Sequence, residues 1–245
     1  MFLHLDLDCF FVSAHRTLDE SLFHIPVAVG GRSNLNIFSS KKEVRQISSN
    51  SGAFVSTILT NEGMKSFKEY FVDENGKIRG IITTSSYEAR AFGVKTAMSV
   101  NEALSLCPHL KMLPPNYPLY HDLSNKLKEL LIKEIPLVEQ YSIDEFFGDV
   151  SGYIDEDEIV SFAYYLKKKI FDELKLPISI GIANTKYLSK LITEYAKPDG
   201  VKYVSADNIG NFIKDIPIKE FPGIGKAFQE RLKGYGIKTL GDIKK

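Results

Sequence analysis

Hydrophobic and polar residues alternate along the first part of the chain, and this period of two predicts a β-strand over residues 1–12. The alternation places Asp6 and Asp8 on one face of that strand. Residues 25–31 and 178–182 are also predicted strands, and a glycine pair ends the first of them. The chain therefore supplies several strands, one of which carries acidic residues.

Apolar residues recur at helical spacing around residues 123–131 and 159–174, which predicts two packing helices. Ser99 and Glu102 form a capping-box pair that opens a shorter helix, which must stop near Pro108. From residue 32 to residue 82 the pattern weakens and Ser, Asn and Lys become frequent, which predicts an inserted element. The order of strands and helices predicts an α+β domain with helices on one face of a sheet.

Composition narrows the class of protein only a little. The 245 residues allow one or two domains, and the net charge is zero. Residues 186–245 hold twelve Lys and Arg against seven Asp and Glu, which suits a bound polyanion or, equally well, a solvated basic face. The two cysteines lie in apolar sequence, which argues against a disulfide framework or a Cys-based zinc site. A cytoplasmic protein without a signal peptide or membrane span is therefore expected.

Asp144 and Glu145 are the most informative pair of residues. They lie in the run 141–147, whose apolar and β-prone residues predict a strand end or hairpin tip. If this hairpin pairs with the first strand, three or four carboxylates converge. Such a cluster can hold two divalent metal ions and promote phosphoryl transfer. Each acidic pair alone is more often a solvated turn, so the prediction depends on the joint pattern.

Two groups of residues are candidate phosphate ligands. Lys186, Lys190 and Lys197 form one stripe if a helix extends that far, although the solvated side of an amphipathic helix would look the same. Tyr87 and Arg90 could bind phosphate oxygens, because Arg can make two parallel hydrogen bonds and Tyr can donate one. The start of a surface helix is the alternative reading of that second pair.

A glycine-rich turn near the end of the chain, at residues 221–226, predicts a helix-hairpin-helix motif. Backbone amides in such a turn, at the start of a helix, can bind a nucleic-acid phosphate without reading its sequence. Gly223, Gly225 and Lys226 are therefore candidate DNA-binding residues. A simple glycine turn is the alternative.

Six stretches, taken in order, resemble the motifs of Y-family DNA polymerases of the DinB or polymerase IV type: Asp6–Phe11, Pro26–Gly31, Tyr87–Val94, Ser142–Glu145, Ala196–Gly200 and Pro222–Gly225. The resemblance covers nearly all of the chain except about residues 33–82. It implies an α+β catalytic core with a palm of antiparallel sheet plus helices at 1–10 and 116–204. It further implies fingers at 11–115 with an insertion at 33–82, and a small helical thumb at 205–245 that contains the helix-hairpin-helix.

The resemblance implies a translesion, low-fidelity DNA polymerase that adds dNTPs to a primer 3′-hydroxyl with two Mg²⁺ ions. The residues that match its metal ligands are Asp6, Leu7 (through its carbonyl), Asp144 and Glu145, and Glu145 is also the implied catalytic residue. Its nucleotide-binding positions are matched by Phe11, Tyr87, Arg90 and Lys197. Among these, Phe11 matches the ring that excludes a ribose 2′-hydroxyl.

The chain also departs from the family pattern. His15 stands where the family commonly has Glu, and residues 146–148 replace its usual run. The chain ends just after the thumb, so the little-finger domain is expected to be missing and a sliding clamp could bind only through a missing C-terminal segment. Implied partners are primer–template DNA and dNTP, with a monomeric protein and no membrane. A non-catalytic DNA-binding or scaffold fragment and a palm-type nucleotidyl cyclase are the alternatives.

Overall fold

The computed structural model describes residues 1–32 and 65–243. Its strands are β1 (Phe2–Leu7), β2 (Val27–Gly31), β3 (Ile81–Ser85), β4 (Lys111–Leu113), β5 (Leu137–Gln140), β6 (Glu145–Asp149), β7 (Ile178–Ala183) and β8 (Val201–Tyr203). Its α-helices are α1 (Phe10–Arg16), α2 (Phe67–Phe71), α3 (Tyr87–Ala91), α4 (Val100–Leu106), α5 (Tyr117–Glu134), α6 (Ile159–Leu174), α7 (Lys186–Glu194), α8 (Ile209–Ile213) and α9 (Lys226–Gly234). Short 3₁₀ helices are Glu20–Leu22, Ile218–Glu220 and Leu240–Asp242.

The chain forms two compact units. The first contains residues 1–8, 128–173 and 177–245, and the second contains residues 9–127 and 174–176. The predicted α+β class is confirmed, since each unit combines a sheet with helices. In the described ranges, no helix is both long and apolar enough to cross a membrane.

The first unit is built on a five-stranded sheet with the order β5-β6-β1-β7-β8. Strand β1 lies at its centre and pairs antiparallel with both β6 and β7. The sheet was predicted to be antiparallel, and this holds for every pair except β7 and β8, which are parallel. Leu3, Leu5 and Leu7 of β1 are all buried, as the period-two pattern requires. The central position of β1 carries its acidic residue into the interior of the unit.

Helix α7 packs closely against strand β7 because Gly181 has no side chain. A Cβ at Gly181 would lie 2.2 Å from the Ser189 carbonyl oxygen and 2.4 Å from the Thr193 amide nitrogen. Both neighbours are backbone atoms of α7, so a larger residue would displace the helix. The close approach at Gly181 therefore fixes the position of α7 on the sheet.

Replacing Gly181 by Ala should lower the free energy of unfolding by about 3 kcal/mol or more, because the added methyl group overlaps helix backbone. Gly210 in α8 is the matched control, since a Cβ there meets no atom within 4 Å. Gly210→Ala should leave stability unchanged or raise it by about 0.5–1 kcal/mol. Urea denaturation of both variants measures the difference. Equal stability of the two variants would show that α7 can move away from the sheet without cost.

The end of the first unit has its own small core, built on the buried residues Leu191, Ile216, Ile218 and Leu240. Partly buried residues from the segment around α8 and α9 pack against this cluster, among them Phe212, Phe221 and Leu232. The helix-hairpin-helix segment is thereby attached to α7, which supplies Leu191. This attachment gives the turn before α9 a defined place in the unit.

The second unit contains the three-stranded sheet β3-β2-β4 and helices α1 to α4. Its hydrophobic core includes Phe71, which is fully buried, and Ile82. Both belong to the segment 33–82 that was expected to be an insertion without core periodicity. The lack of core periodicity is corrected for residues 67–82, whose apolar side chains belong to the core of this unit, while the insertion itself stays a prediction. The rest of the predicted insertion, residues 33–64, lies outside the described residues.

The predicted strand over residues 1–12 is too long. Strand β1 ends at Leu7, and α1 begins at Phe10. Cys9 between them has a left-handed backbone conformation with φ 47°, which turns the chain out of the strand. Phe11 therefore lies in the first turn of a helix.

Candidate active site

Three carboxylates converge where β1 and β6 lie side by side. Asp6 on β1 is the register partner of Glu145, the first residue of β6. Asp144 precedes Glu145 at the end of the β5–β6 hairpin, and its carbonyl oxygen accepts a hydrogen bond of 3.0 Å from the Leu7 amide. The predicted hairpin position of the Asp144–Glu145 pair, and its pairing with the first strand, are confirmed. Leu7 is the last residue of β1, next to this cluster.

The site holds negative charge in a buried environment. Burial raises the pKa of Asp6 to about 7, and the charges of Asp144 and Glu145 act in the same direction, whereas Lys197 opposes them. Burial also raises the pKa of Asp144, which is further raised by Glu145 and opposed by a hydrogen bond of 2.6 Å from the Ser142 hydroxyl. Two of the three carboxyls thus resist ionisation because they are buried next to other carboxylates.

Glu145 behaves differently from its neighbours. Burial opposes its ionisation, but His4 and the Lys190 ammonium group outweigh this and lower its pKa to about 2. Lys190 forms a salt bridge with Glu145 Oε2. Glu145 is therefore ionised at neutral pH, which is the state that a metal ligand needs.

Lysines from one segment contact this carboxylate cluster. Lys190 on α7 contacts Glu145, while Lys197 follows the end of α7 and lies 2.8 Å from Asp6 Oδ2. Lys186 on α7 pairs with Glu139 of β5. The predicted stripe therefore faces carboxylates of the sheet, although Lys197 lies beyond the helix itself. Positive charge at this edge balances part of the negative charge of the cluster.

The donor atoms suit a divalent cation. Asp6, Asp144 and Glu145 offer carboxylate oxygens, which Mg²⁺ and Mn²⁺ prefer. Ligand atoms of His4, Asp6 and Glu145 lie within 4.8 Å of one another. The raised pKa values of Asp6 and Asp144 indicate that added positive charge would stabilise their ionised forms. The residues present thus fit a metal site.

Asp8 was the possible fourth carboxylate of the cluster, and its Oδ2 is engaged by other groups. Asp8 follows the end of β1, and its Oδ2 accepts hydrogen bonds of 2.8 Å from the Ser179 hydroxyl and from the Asp199 amide. This carboxylate therefore connects the loop after α7 to strand β7. Because that loop also contains Lys197, Asp8 helps to fix the backbone from which Lys197 reaches the cluster.

His4 is a residue of this site that the sequence reasoning missed. It is fully buried on β1, and its Nδ1 lies 2.8 Å from the Thr193 hydroxyl of α7. Its Nε2 lies 3.6 Å from Glu145 Oε2. Burial lowers the pKa of His4. The signal was available, since His4 and Asp6 are two residues apart and share one face of a strand.

The candidate phosphate-binding pair lies in the second unit, at the start of α3. Ser86 caps this helix by accepting a hydrogen bond from the Ala89 amide. The guanidinium carbon of Arg90 lies 4.8 Å from the centre of the Tyr87 ring, and Arg90 Nε donates a hydrogen bond of 3.1 Å to the Ser85 carbonyl oxygen. Arg90 is exposed and Tyr87 is half-buried. The two side chains thus pack against each other, and the guanidinium group lies on the surface.

Phe11 belongs to an aromatic cluster of the second unit. Its ring stacks on that of Tyr120 with centroids 4.2 Å apart and planes inclined by 11°. Tyr117 contacts Phe11 edge to face at 6.3 Å. Phe11 is 8% exposed, so its ring packs in the core of this unit, and its match to a sugar-selecting ring stays a prediction.

The candidate DNA-binding turn precedes α9 in the first unit. Gly223 has a φ of 90°, a conformation that favours glycine. Gly225 caps α9, and Lys226 is the first residue of that helix. A Cβ at Gly223 or Gly225 would meet no atom within 4 Å, so the turn has open space around it. The first amides of a helix have no acceptor within the helix and can bind an external anion.

Comparisons with known proteins define the class. Residues 5–194 match the impB/mucB/samB family, and residues 206–237 match the helix-hairpin-helix motif of the same group. The chain belongs to the impB/mucB/samB family. The fold implied by the sequence resemblance, a Y-family polymerase core with a helix-hairpin-helix, is thereby confirmed.

Curated relatives carry a more specific name. The chain is 32% identical over 244 residues to a protein called DNA polymerase IV from Photorhabdus laumondii subsp. laumondii, covering 99% of this chain and 57% of that protein. It is 31% identical over 242 residues to DNA polymerase IV from Serratia proteamaculans, covering 98% and 56%. The chain thus spans a little more than half the length of these relatives.

Solved structures agree with the sequence comparisons. An insertion ternary complex of Dbh DNA polymerase has a TM-score of 0.77 and 26% identity, covering 98% of this chain and 59% of that one. DinB from Sulfolobus solfataricus has a TM-score of 0.74 and 25% identity, with coverage of 98% and 59%. Both are similar to this chain along nearly its whole length.

Proposed function

We propose that this chain is the catalytic core of a template-directed DNA polymerase of the translesion, low-fidelity type. The observation that carries this proposal is the cluster of Asp6, Asp144 and Glu145 at adjacent ends of β1 and β6, with Lys190 and Lys197 beside it. The relatives named DNA polymerase IV support the same reaction. The two cysteines are buried and form no disulfide, which agrees with a reducing compartment such as the cytoplasm.

The carboxylates of Asp6, Asp144 and Glu145 would hold two Mg²⁺ ions, and the Leu7 carbonyl would complete one of the two sites. When bound, the ions would supply an activated 3′-hydroxyl and stabilise the leaving pyrophosphate. Burial of the cluster strengthens every interaction between the carboxylates and a cation, because few waters compete. The pairing of β1 with β6 sets the spacing of the ligands before any substrate arrives.

Lys197 and the pair of Arg90 and Tyr87 are the proposed ligands of the triphosphate of the incoming dNTP. Lys197 is fixed next to Asp6 and can neutralise phosphate charge near the cluster. Arg90 and Tyr87 present a guanidinium group and a hydroxyl group at the start of α3, and both can donate hydrogen bonds to phosphate oxygens. Phe11 would meet the sugar and exclude the ribose 2′-hydroxyl.

Primer–template DNA would bind partly through the turn before α9. The amides following Gly223 and Gly225, together with Lys226, would contact backbone phosphates and not bases. Such contacts suit a polymerase, which must move along DNA of any sequence.

Primer extension distinguishes this function from its alternatives. A 5′-labelled primer annealed to a longer template is incubated with this chain, Mg²⁺ and dNTPs, and products are separated on a denaturing gel. A polymerase lengthens the primer only when template and metal are present. A cyclase would consume nucleotide without changing the primer, and a scaffold protein would change neither. Failure to lengthen the primer with DNA fully bound would contradict the proposal.

DNA binding by this chain should weaken steeply with salt, because the proposed contacts are made with phosphates. Lys226→Gln should weaken binding for all DNA sequences and reduce the slope of log affinity against log salt by about 1. Lys233→Gln in the same helix is the control, because Lys233 is paired with Glu230 at 2.7 Å. Fluorescence anisotropy at several salt concentrations measures both slopes. An equal slope for wild type and Lys226→Gln would remove Lys226 from the DNA contact.

A further inference from the structure

The ring of Phe11 stacks on the ring of Tyr120. The two rings are nearly parallel and in contact, with centroids 4.2 Å apart. Tyr120 is fully buried, and Phe10 and Tyr117 contact its ring at 5.9 and 5.8 Å. A stacked pair can slide or tilt unless something fixes one member. Groups that fix the Tyr120 ring can therefore influence the position of the Phe11 ring.

His15 holds the far end of Tyr120. His15 Nε2 lies 2.9 Å from the Tyr120 hydroxyl oxygen, and both groups are buried. The His15 ring is also hydrogen bonded to the backbone of Pro114. Proline has no amide hydrogen, so its carbonyl oxygen accepts this bond. Because Nε2 is engaged by Tyr120, we assign the hydrogen to Nδ1, and Nε2 of the neutral ring then accepts from the tyrosine hydroxyl.

The neutral state of His15 is maintained by its surroundings. Burial lowers its pKa to about 4, so the ring carries no charge at neutral pH. A neutral imidazole can donate at one nitrogen and accept at the other, and both requirements are met here. The Pro114 carbonyl contacts His15, His15 contacts Tyr120, and Tyr120 contacts the Phe11 ring. All four residues belong to the second unit.

We propose that His15 is a positioning residue for sugar selectivity, which acts through Tyr120 to keep the Phe11 ring where it meets a ribose 2′-hydroxyl. The inference rests on the proposed function of Phe11 and assigns the selectivity to a buried residue that does not itself touch the nucleotide. Steric exclusion is steep in distance, so a small tilt of the ring admits the larger sugar. Loss of the His15 contact should therefore increase the use of ribonucleotides.

The test measures kcat/KM for a matched dNTP and rNTP in wild type and in three variants, two of which break the same hydrogen bond from opposite ends. Tyr120→Phe keeps the stacked ring and loses only the hydroxyl group. His15→Leu removes the acceptor, and His15→Gln restores one. We expect the ratio of dNTP to rNTP use to fall about tenfold in Tyr120→Phe and His15→Leu, and to stay near the wild-type value in His15→Gln.

Phe11→Ala is measured in parallel, so that the sugar selectivity of Phe11 can be tested separately from the positioning role of His15. If His15 acts through Phe11, adding His15→Leu to Phe11→Ala should change the ratio no further. A ratio altered by Phe11→Ala but unchanged in both Tyr120→Phe and His15→Leu would overturn the role of His15 alone. A ratio unchanged even in Phe11→Ala would overturn the selectivity of Phe11 and the role of His15 with it. Thermal denaturation of each variant shows how far altered stability accompanies the altered ratio.

Discussion

Replacing Asp144 by Asn should reduce nucleotide incorporation by about a thousandfold or more, which corresponds to about 4 kcal/mol in the activation free energy. The substitution keeps the size of the side chain and removes one of three charges that would bind the metal ions. Stability should not fall, because burial and the charge of Glu145 already raise the pKa of Asp144 and make its ionised form unfavourable. The rate is measured by rapid-quench primer extension with a single dNTP.

Asp149→Asn is the matched control for this experiment. Asp149 ends the same strand, β6, and its carboxylate accepts hydrogen bonds from Ser151 rather than facing the cluster. Its replacement should leave the rate within about twofold of wild type. Near-wild-type incorporation by Asp144→Asn would contradict the assignment of this carboxylate to the metal site.

Replacing Phe11 by Ala should raise kcat/KM for a ribonucleotide relative to its dNTP by about a hundredfold, equivalent to nearly 3 kcal/mol of lost discrimination. The Phe11 ring would occupy the volume that a 2′-hydroxyl group needs, so selectivity depends on a clash with the wrong sugar. Shrinking the side chain removes that clash. Single-nucleotide incorporation with a matched pair of substrates measures the ratio.

Val12→Ala is the control for the loss of buried volume. Val12 is fully buried and adjacent to Phe11 on α1, so its truncation should lower stability while sugar selectivity stays unchanged. If Phe11→Ala behaves in the same way, with lower stability and an unaltered ratio, Phe11 is a core residue and not part of the nucleotide site.

The carboxylate cluster could be predicted because its ligands lie on strands with a regular pattern. Asp6 alternates with buried leucines on β1, and Glu145 begins a short apolar strand after a turn. Along a strand, successive side chains point to opposite faces of the sheet, so apolar and polar residues alternate in the sequence. The same regularity would have revealed His4, which shares the Asp6 face and was overlooked.

Other parts of the site depend on contacts that a local pattern does not record. Asp8 is hydrogen bonded to Ser179 and Asp199, which lie 171 and 191 positions further along the chain. His15 is hydrogen bonded to Tyr120, which lies 105 positions away. The left-handed turn at Cys9 follows β1 and leads directly into the apolar residues 10–12, so the start of α1 could not be located from periodicity. Phe71 belongs to α2, a helix of five residues, which is too short for a helical period to show in the sequence.

Incorporation of single nucleotides opposite each of the four template bases is the most direct test that this chain is a template-directed polymerase. The protein is used in excess over primer–template DNA at low salt, with Mg²⁺, and each of the four dNTPs is offered to each template. We predict that the complementary dNTP is added fastest in all four cases, and that chelation of Mg²⁺ or Asp144→Asn removes the activity. Addition that ignores the template base, or no addition to bound primer, would contradict the proposal.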